Sequence, residues 1–266
     1  MKKVLLVLSV LIVLGLVFFT VRNKPVDENE VLVLCGGSMR AVLENIIERY
    51  EKVSDDNVVA TYGGSGELCS QIQNTGRGDV FICHDPFMPW AEKQGLISKW
   101  DTMGYLDVVI IVPKGNPKSI KELKDLTRQG IRIGIGDRRY STSGVISWHI
   151  MKGLDYGDDI KKNIIMESKG HQQRCTDVSM GTLDAGIVWS AVADLFEEKL
   201  EKIPVPEENI DAITTATYGI CDLKNVKVTA GLIKHKNERE SVQRFYDFLV
   251  TQRNVFEEYG FRSTGD

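Results

Sequence analysis

The sequence predicts an α/β protein built on mostly parallel sheets with crossover helices. Three stretches carry that prediction. Each is a short apolar run, a turn of small residues and a helix opening directly behind it. In the first, Val31-Leu-Val-Leu-Cys35 reads as a strand buried on both faces, Gly36-Gly37 turns the chain, and Val42, Leu43, Ile46 and Ile47 follow at helical spacing. In the second, Val58-Val-Ala-Thr-Tyr62 leads through Gly63-Gly64-Ser65 into a helix. In the third, Ile131-Arg-Ile-Gly-Ile-Gly-Asp137 leads through Ser141-Thr142-Ser143-Gly144 into another.

In chain order, Met1-Lys2-Lys3 precedes a mostly apolar stretch from Val4 to Phe19, the pattern of an export signal. No small-x-small cleavage site and no lipoprotein cysteine follows. Residues 1–24 therefore read as a signal peptide or a retained membrane anchor, and 25–30 as a polar linker. Strands are expected near 31–35, 58–62 and 79–83, and helices near 38–52, 66–75 and 86–95. The apolar run 105–113, ended by Lys-Gly-Asn-Pro117, reads as one long strand. A helix is expected over 119–127 with Ser119 as its N-cap. A strand at 131–137, helices at 143–151 and 172–180, and a strand at 185–189 make a second α/β unit. A strand at 226–233 follows, and amphipathic helices at 242–250 and 253–259 close the chain.

Composition narrows the function. The 266 residues suffice for two domains with cores, and the net charge of −4 excludes the basic face of a nucleic-acid binder. The five cysteines, Cys35, Cys69, Cys83, Cys175 and Cys221, form no C-x-x-C pair and no zinc spacing; they read as small buried residues. No P-loop, G-x-S-x-G elbow or H-E-x-x-H occurs, and no catalytic constellation is legible. Cys83-His84-Asp85 invites a metal or thiol reading, but neighbours on a strand point to opposite faces.

The turns carry the functional signal. Free amides and the helix dipole make a helix start an anion site, and small-residue turns at several such corners suggest one anion held by more than one of them. Ser38 and Ser65 are expected as N-caps whose hydroxyls also donate to that anion. Glu67 reads as first-turn stabilisation.

On these turns, together with Gly78-Asp-Val-Phe-Ile-Cys-His-Asp85, Gly134-Ile-Gly-Asp137, Gly186-Ile-Val-Trp-Ser190 and Phe256-Glu-Glu-Tyr-Gly-Phe261, the chain resembles the periplasmic molybdate/tungstate-binding proteins of ABC importers. They belong to the two-lobed (type II) solute-binding superfamily. The resemblance runs from about Val31 to Phe261. It implies a type II periplasmic-binding-protein-like fold, each lobe a mostly parallel sheet flanked by helices, with the ligand in the cleft between lobes. Lobe I would be 31–110 plus 222–266 and lobe II 111–221, with 105–113 crossing out and 226–233 crossing back.

The resemblance implies a non-catalytic protein that captures a tetrahedral oxyanion and delivers it to an ABC permease subunit. It implies a monomer with no cofactor and no protein-ligated metal, touching the membrane only through its N-terminal segment. The implied contacts are hydroxyls from Ser38 and Ser65, amides at Ser143 and His171, and Trp189. Trp189 stands where many members place a tyrosine, which opens the choice of anion to sulfate, phosphate, a phosphonate or a small organic acid. Gly37, Met39, Gly66, Gly144, Arg139 and Arg174 are further candidates, and Arg138 and Tyr140 flank them. An inward arginine would favour phosphate, phosphonate or carboxylate. A membrane-anchored sensor domain is the remaining alternative.

Overall fold

In the computed structural model, residues 28–139, 141–235 and 239–264 are described. The export segment, the start of the linker and Tyr140 lie outside them.

The apolar runs build two five-stranded sheets, ordered β2-β1-β3-β12-β4 and β7-β6-β8-β5-β9. In the first sheet, β1 (Glu30–Gly36), β2 (Asn57–Gly63) and β3 (Val80–His84) run parallel. The last strand, β12 (Val226–Ile233), lies antiparallel between β3 and β4 (Ile97–Leu106). In the second sheet, β6 (Ile133–Gly136) runs parallel to β7 (Ile164–Ser168) and β8 (Ala185–Trp189). There β5 (Val108–Pro113) is antiparallel to β8 and to β9 (Leu200–Pro204). The central strands β3 and β8 are buried along their whole length, as continuous apolar runs require.

Helices connect the parallel strands in each sheet. Around the first sheet these are α1 (Arg40–Tyr50), α2 (Ser65–Thr75) and α3 (Phe87–Lys93). Around the second they are α4 (Thr142–Gly153), α5 (Gly157–Lys162), α6 (His171–Ser179) and α7 (Ser190–Asp194). The closing helices α8 (Glu240–Thr251) and α9 (Arg253–Glu258) bury Phe245, Tyr246, Leu249, Val255 and Phe256. Tyr50 of α1 meets Phe245 edge-on at 5.1 Å, which ties α8 to the first lobe. Asp56 anchors the same corner: its carboxylate accepts from Arg244 at 2.7 and 3.1 Å and from the Tyr50 hydroxyl at 2.7 Å.

Four expectations are corrected. The run 105–113 is not one strand: it breaks at Asp107, which leaves β4 in the first sheet and starts β5 in the second. Residues 108–110, placed with lobe I by the sequence boundary, therefore pair in the second sheet. Asp107 is held by Arg262 Nε at 2.8 Å, and the same guanidinium donates to Lys224 O at 2.8 Å, so Arg262 clasps both passages between the sheets. Second, β12 is an inner strand of the first sheet, not a crossing segment. Third, 119–127 is not a helix capped by Ser119. Ser119 has φ +49°, and only a 3₁₀ turn forms over Leu123–Thr127 behind Glu122. Fourth, neither Ser38 nor Ser65 is a capping residue. Ser38 lies inside a 3₁₀ turn (Gly37–Met39), Ser65 is the first residue of α2, and neither helix start carries a side-chain capping bond.

The hairpin of β10 (Ile213–Thr215) and β11 (Gly219–Cys221) was not anticipated. All five cysteines are buried free thiols. Burial pushes Cys69, Cys175 and Cys221 up to about 12, so they are unreactive near neutral pH. Among the described residues, no cluster of three His, Cys, Asp or Glu side chains could hold a metal ion, and no helix is long and apolar enough to cross a membrane.

Candidate functional site

The carboxyl ends of the parallel strands in both sheets converge on one cleft of about 670 Å³. From the first lobe it is lined by Gly37 and Ser38, the turn 63–66, Glu67, Ser70, His84 and Phe87. From the second come Arg138, Arg139, the turn 141–143, Lys169, His171 and Trp189. Residues 215–218 of the β10–β11 hairpin form a third wall.

The residues singled out from sequence divide into two groups. Ser38, Ser65, Ser143, His171, Trp189, Gly37, Gly66 and Arg139 line the cleft. Met39, Gly144 and Arg174 do not. Met39 is a fully buried core side chain. Gly144 is small for packing: a Cβ there would sit 2.4 Å from Gly136 O and 2.6 Å from Arg138 N, because α4 starts hard against the end of β6. Arg139 is tied down, its guanidinium forking onto Asp137 at 3.0 and 2.7 Å. That contact holds the Asp137 carboxyl down at about 2. Arg138 lies over the Trp148 ring at 4.6 Å.

Arg174 is completely buried behind the second-lobe wall, and among the described residues it forms no ion pair with a carboxylate. Its Nε donates to Ile187 O at 3.2 Å, and Nη1 donates to Ser168 O at 3.1 Å and Ser168 Oγ at 2.9 Å. Nη2 donates to Ser143 Oγ at 3.0 Å and His171 Nδ1 at 3.1 Å. The five donors of the guanidinium are thus distributed over one shell. Burial lowers it to about 10, still charged near neutrality. Arg174 fixes two cleft-lining side chains from behind.

Among the described residues, two side chains of the cleft walls hold a fully buried donor in reserve. Ser65 Oγ and Trp189 Nε1 are buried without a hydrogen-bond partner. Ser65 is 5% exposed and Trp189 1%. A buried polar group left unpaired costs about 1–3 kcal/mol, and at a cleft wall a bound ligand can supply the partner. One orphan belongs to each lobe. The Trp189 ring packs against His84 at 5.5 Å and stacks on His171 at 6.0 Å. Burial depresses the basicity of both imidazoles, and for His171 the Arg174 charge adds to it, so both rings are uncharged near neutrality.

The sequence reading missed His84, Phe87 and Tyr218 as wall residues. The signal for His84 was available, because it ends β3 at the same edge as the Gly-Ser turns. Cys83 points the other way, into the core cluster with Leu68 and Ile72. Tyr218 gave no signal, since it depends on the unforeseen hairpin. Its hydroxyl donates to Gly66 O at 3.2 Å and its ring packs on Phe87 at 4.6 Å. Glu67 lines the cleft from an exposed position.

Two sheets joined at Asp107, with strand ends facing each other across a cleft that offers unspent donors, define a two-lobed binding protein. Residues 31–262 match the family model described as bacterial extracellular solute-binding protein, and the chain belongs to that family. It is a solute-binding protein of the type that serves ABC importers, not an enzyme. The molybdate-binding protein of Mycobacterium tuberculosis is 26% identical over 203 residues, covering 75% of each chain. The periplasmic molybdate-binding protein of Azotobacter vinelandii superposes with a TM-score of 0.66 at 18% identity, over 87% of this chain and 98% of that one. PEB3 from Campylobacter jejuni, solved with L-phospholactate bound, superposes with a TM-score of 0.64 at 17% identity, over 87% and 99%.

Proposed function

We propose that this protein captures a small solute with an oxyanion head between its lobes, outside the cytoplasmic membrane, and delivers it to an ABC permease. The observation that carries this reading is the pair of orphaned buried donors, Ser65 Oγ and Trp189 Nε1, one on each lobe of a single cleft. An oxyanion accepts hydrogen bonds at every oxygen, so it satisfies both at once and rewards closure of the lobes upon it. Ser38, Ser143 and His171 stand beside them. Molybdate fits this requirement and appears in the names of several relatives, and tungstate has the same shape and charge; sulfate appears in the names of others. A second reading, a phosphonate or small organic acid with the same kind of head, is favoured by the aromatic wall of Phe87, Trp189 and Tyr218 and by a volume well beyond a bare tetrahedral ion.

The test is a thermal-shift screen of the chain lacking residues 1–24 against molybdate, tungstate, sulfate, phosphate, phosphonates and small carboxylates. A ligand at a hundred times its Kd stabilises by about 2.7 kcal/mol, a rise of roughly 5–10 °C for a chain of this size. No shift with any anion would sink the proposal.

A further inference from the structure

We infer that the anion held in the cleft carries a hydrogen-bond donor of its own, and that the lone pair of His84 Nε2 selects for it. The inference deepens the anion-binding reading and rests on it.

The argument is one of tautomers. His84 Nδ1 lies 2.7 Å from Asp85 O. A carbonyl oxygen only accepts, so the ring proton is on Nδ1 and Nε2 presents a lone pair. The ring is 5% exposed, lines the cleft, and is boxed edge-on between Phe87 and Trp189 at 5.5 Å each. Turning the ring over would forfeit the Asp85 bond. No described residue donates to Nε2. His171 has the opposite tautomer. Its Nδ1 accepts from Arg174 Nη2 at 3.1 Å and from the Trp189 backbone N–H at 3.3 Å, both donor-only groups, so its proton is on Nε2. The walls therefore offer unspent donors at Ser65, Trp189 and His171 and, at His84, an imidazole lone pair open to the cleft.

A ligand with acceptors alone matches only part of this set. Molybdate, tungstate and sulfate carry no proton near neutral pH, so an oxygen facing His84 Nε2 sets lone pair against lone pair. Phosphate, a phosphonate or a 2-hydroxy acid brings an O–H that completes the set. A site built to hydrogen-bond a hydroxyl rejects the analogue lacking it, because its own polar group is then stranded.

The experiment is calorimetry on the purified chain with matched pairs that differ in the donor: phosphate against sulfate, methylphosphonate against methanesulfonate, lactate against propionate. Molybdate and tungstate are included. The expected result is that the donor-bearing member of at least one pair binds roughly tenfold or more tightly than its mate. His84→Phe, which keeps the ring packing and removes the acceptor, should erase that preference. His84→Gln, whose amide carbonyl can accept, should restore part of it. Melting of the empty variants reports folding, and the wild-type pairs stand without them. Equal affinities within every pair, binding of molybdate or tungstate alone, or a preference that survives His84→Phe would overturn the inference and leave the anion-binding reading intact. Failure of every anion would overturn both.

Discussion

Replacing Ser65 by Ala should move stability and affinity in opposite directions. The hydroxyl is buried, has no partner and makes no capping bond. In the empty protein it is a desolvated group without compensation, a burden of about 1–3 kcal/mol. Alanine removes that burden and leaves a gap the size of one oxygen beside Gly36. At about 2–4 °C per kcal/mol for a chain of this length, the empty variant should melt at the wild-type temperature or up to roughly 5 °C above it. In the proposed complex the same hydroxyl would donate to a charged oxygen, a bond worth about 1.5–3 kcal/mol, so Kd should rise roughly 10- to 150-fold. Scanning calorimetry of the empty protein and titration with the tightest-binding anion measure the two halves. A fall of several degrees with an unchanged Kd would show that Ser65 serves the fold and that the reasoning from its unpaired state is wrong.

Three further outcomes are expected. Trp189→Phe removes the unpaired indole N–H but also packing volume; melting should fall by a few degrees, and titration should show binding weakened by about tenfold. Asp56 is held down at about 2, chiefly by the Arg244 hydrogen bonds. Its folded state binds protons less readily than the unfolded chain, so it contributes stability above the ordinary carboxylate range near pH 4, lost as pH falls towards 2. Denaturant unfolding across that window should show a shallower acid loss in Arg244→Met than in wild type. Gly144→Ala drives a methyl group to 2.4 Å from Gly136 O and 2.6 Å from Arg138 N, both backbone atoms that cannot swing aside. It should cost about 3 kcal/mol or more, read as a lower denaturation midpoint.

The sequence revealed the α/β units because their strands are short apolar runs closed by small residues, and β8 appears with the bounds its pattern implies. The cleft walls at Ser38 and Ser65 were legible for the same reason, since in such sheets the loops at strand ends face the ligand, whereas Ser143, His171 and Trp189 were placed by the family resemblance. What escaped depends on long-range contact. The break at Asp107 is marked in the sequence only by one acid inside an otherwise apolar run, and what holds it there is Arg262, far along the chain. Arg174 stood among the candidate ligand contacts; only the fold turns Ile187 O, Ser168 O and Ser143 Oγ towards it and sets it behind the wall. The tautomers of His84 and His171 follow from backbone partners that no spacing encodes. Gly144 signalled a tight turn, but whether the neighbour was ligand or backbone could not be read from one residue.

The buried guanidinium of Arg174 sets how the cleft responds to ionic strength. Salt ions screen charges they can surround, and they cannot surround this one. Its field reaches an anion against Ser143 and His171 through protein rather than electrolyte, so the dwell time of the bound anion should change little as salt is added. Arg138 and Lys169, exposed on the cleft lining, act through open solvent and would gather the proposed anion from a distance. Added salt should therefore slow capture while leaving release nearly untouched. Such a receptor would hold its cargo equally well in dilute and in salty surroundings, losing only speed.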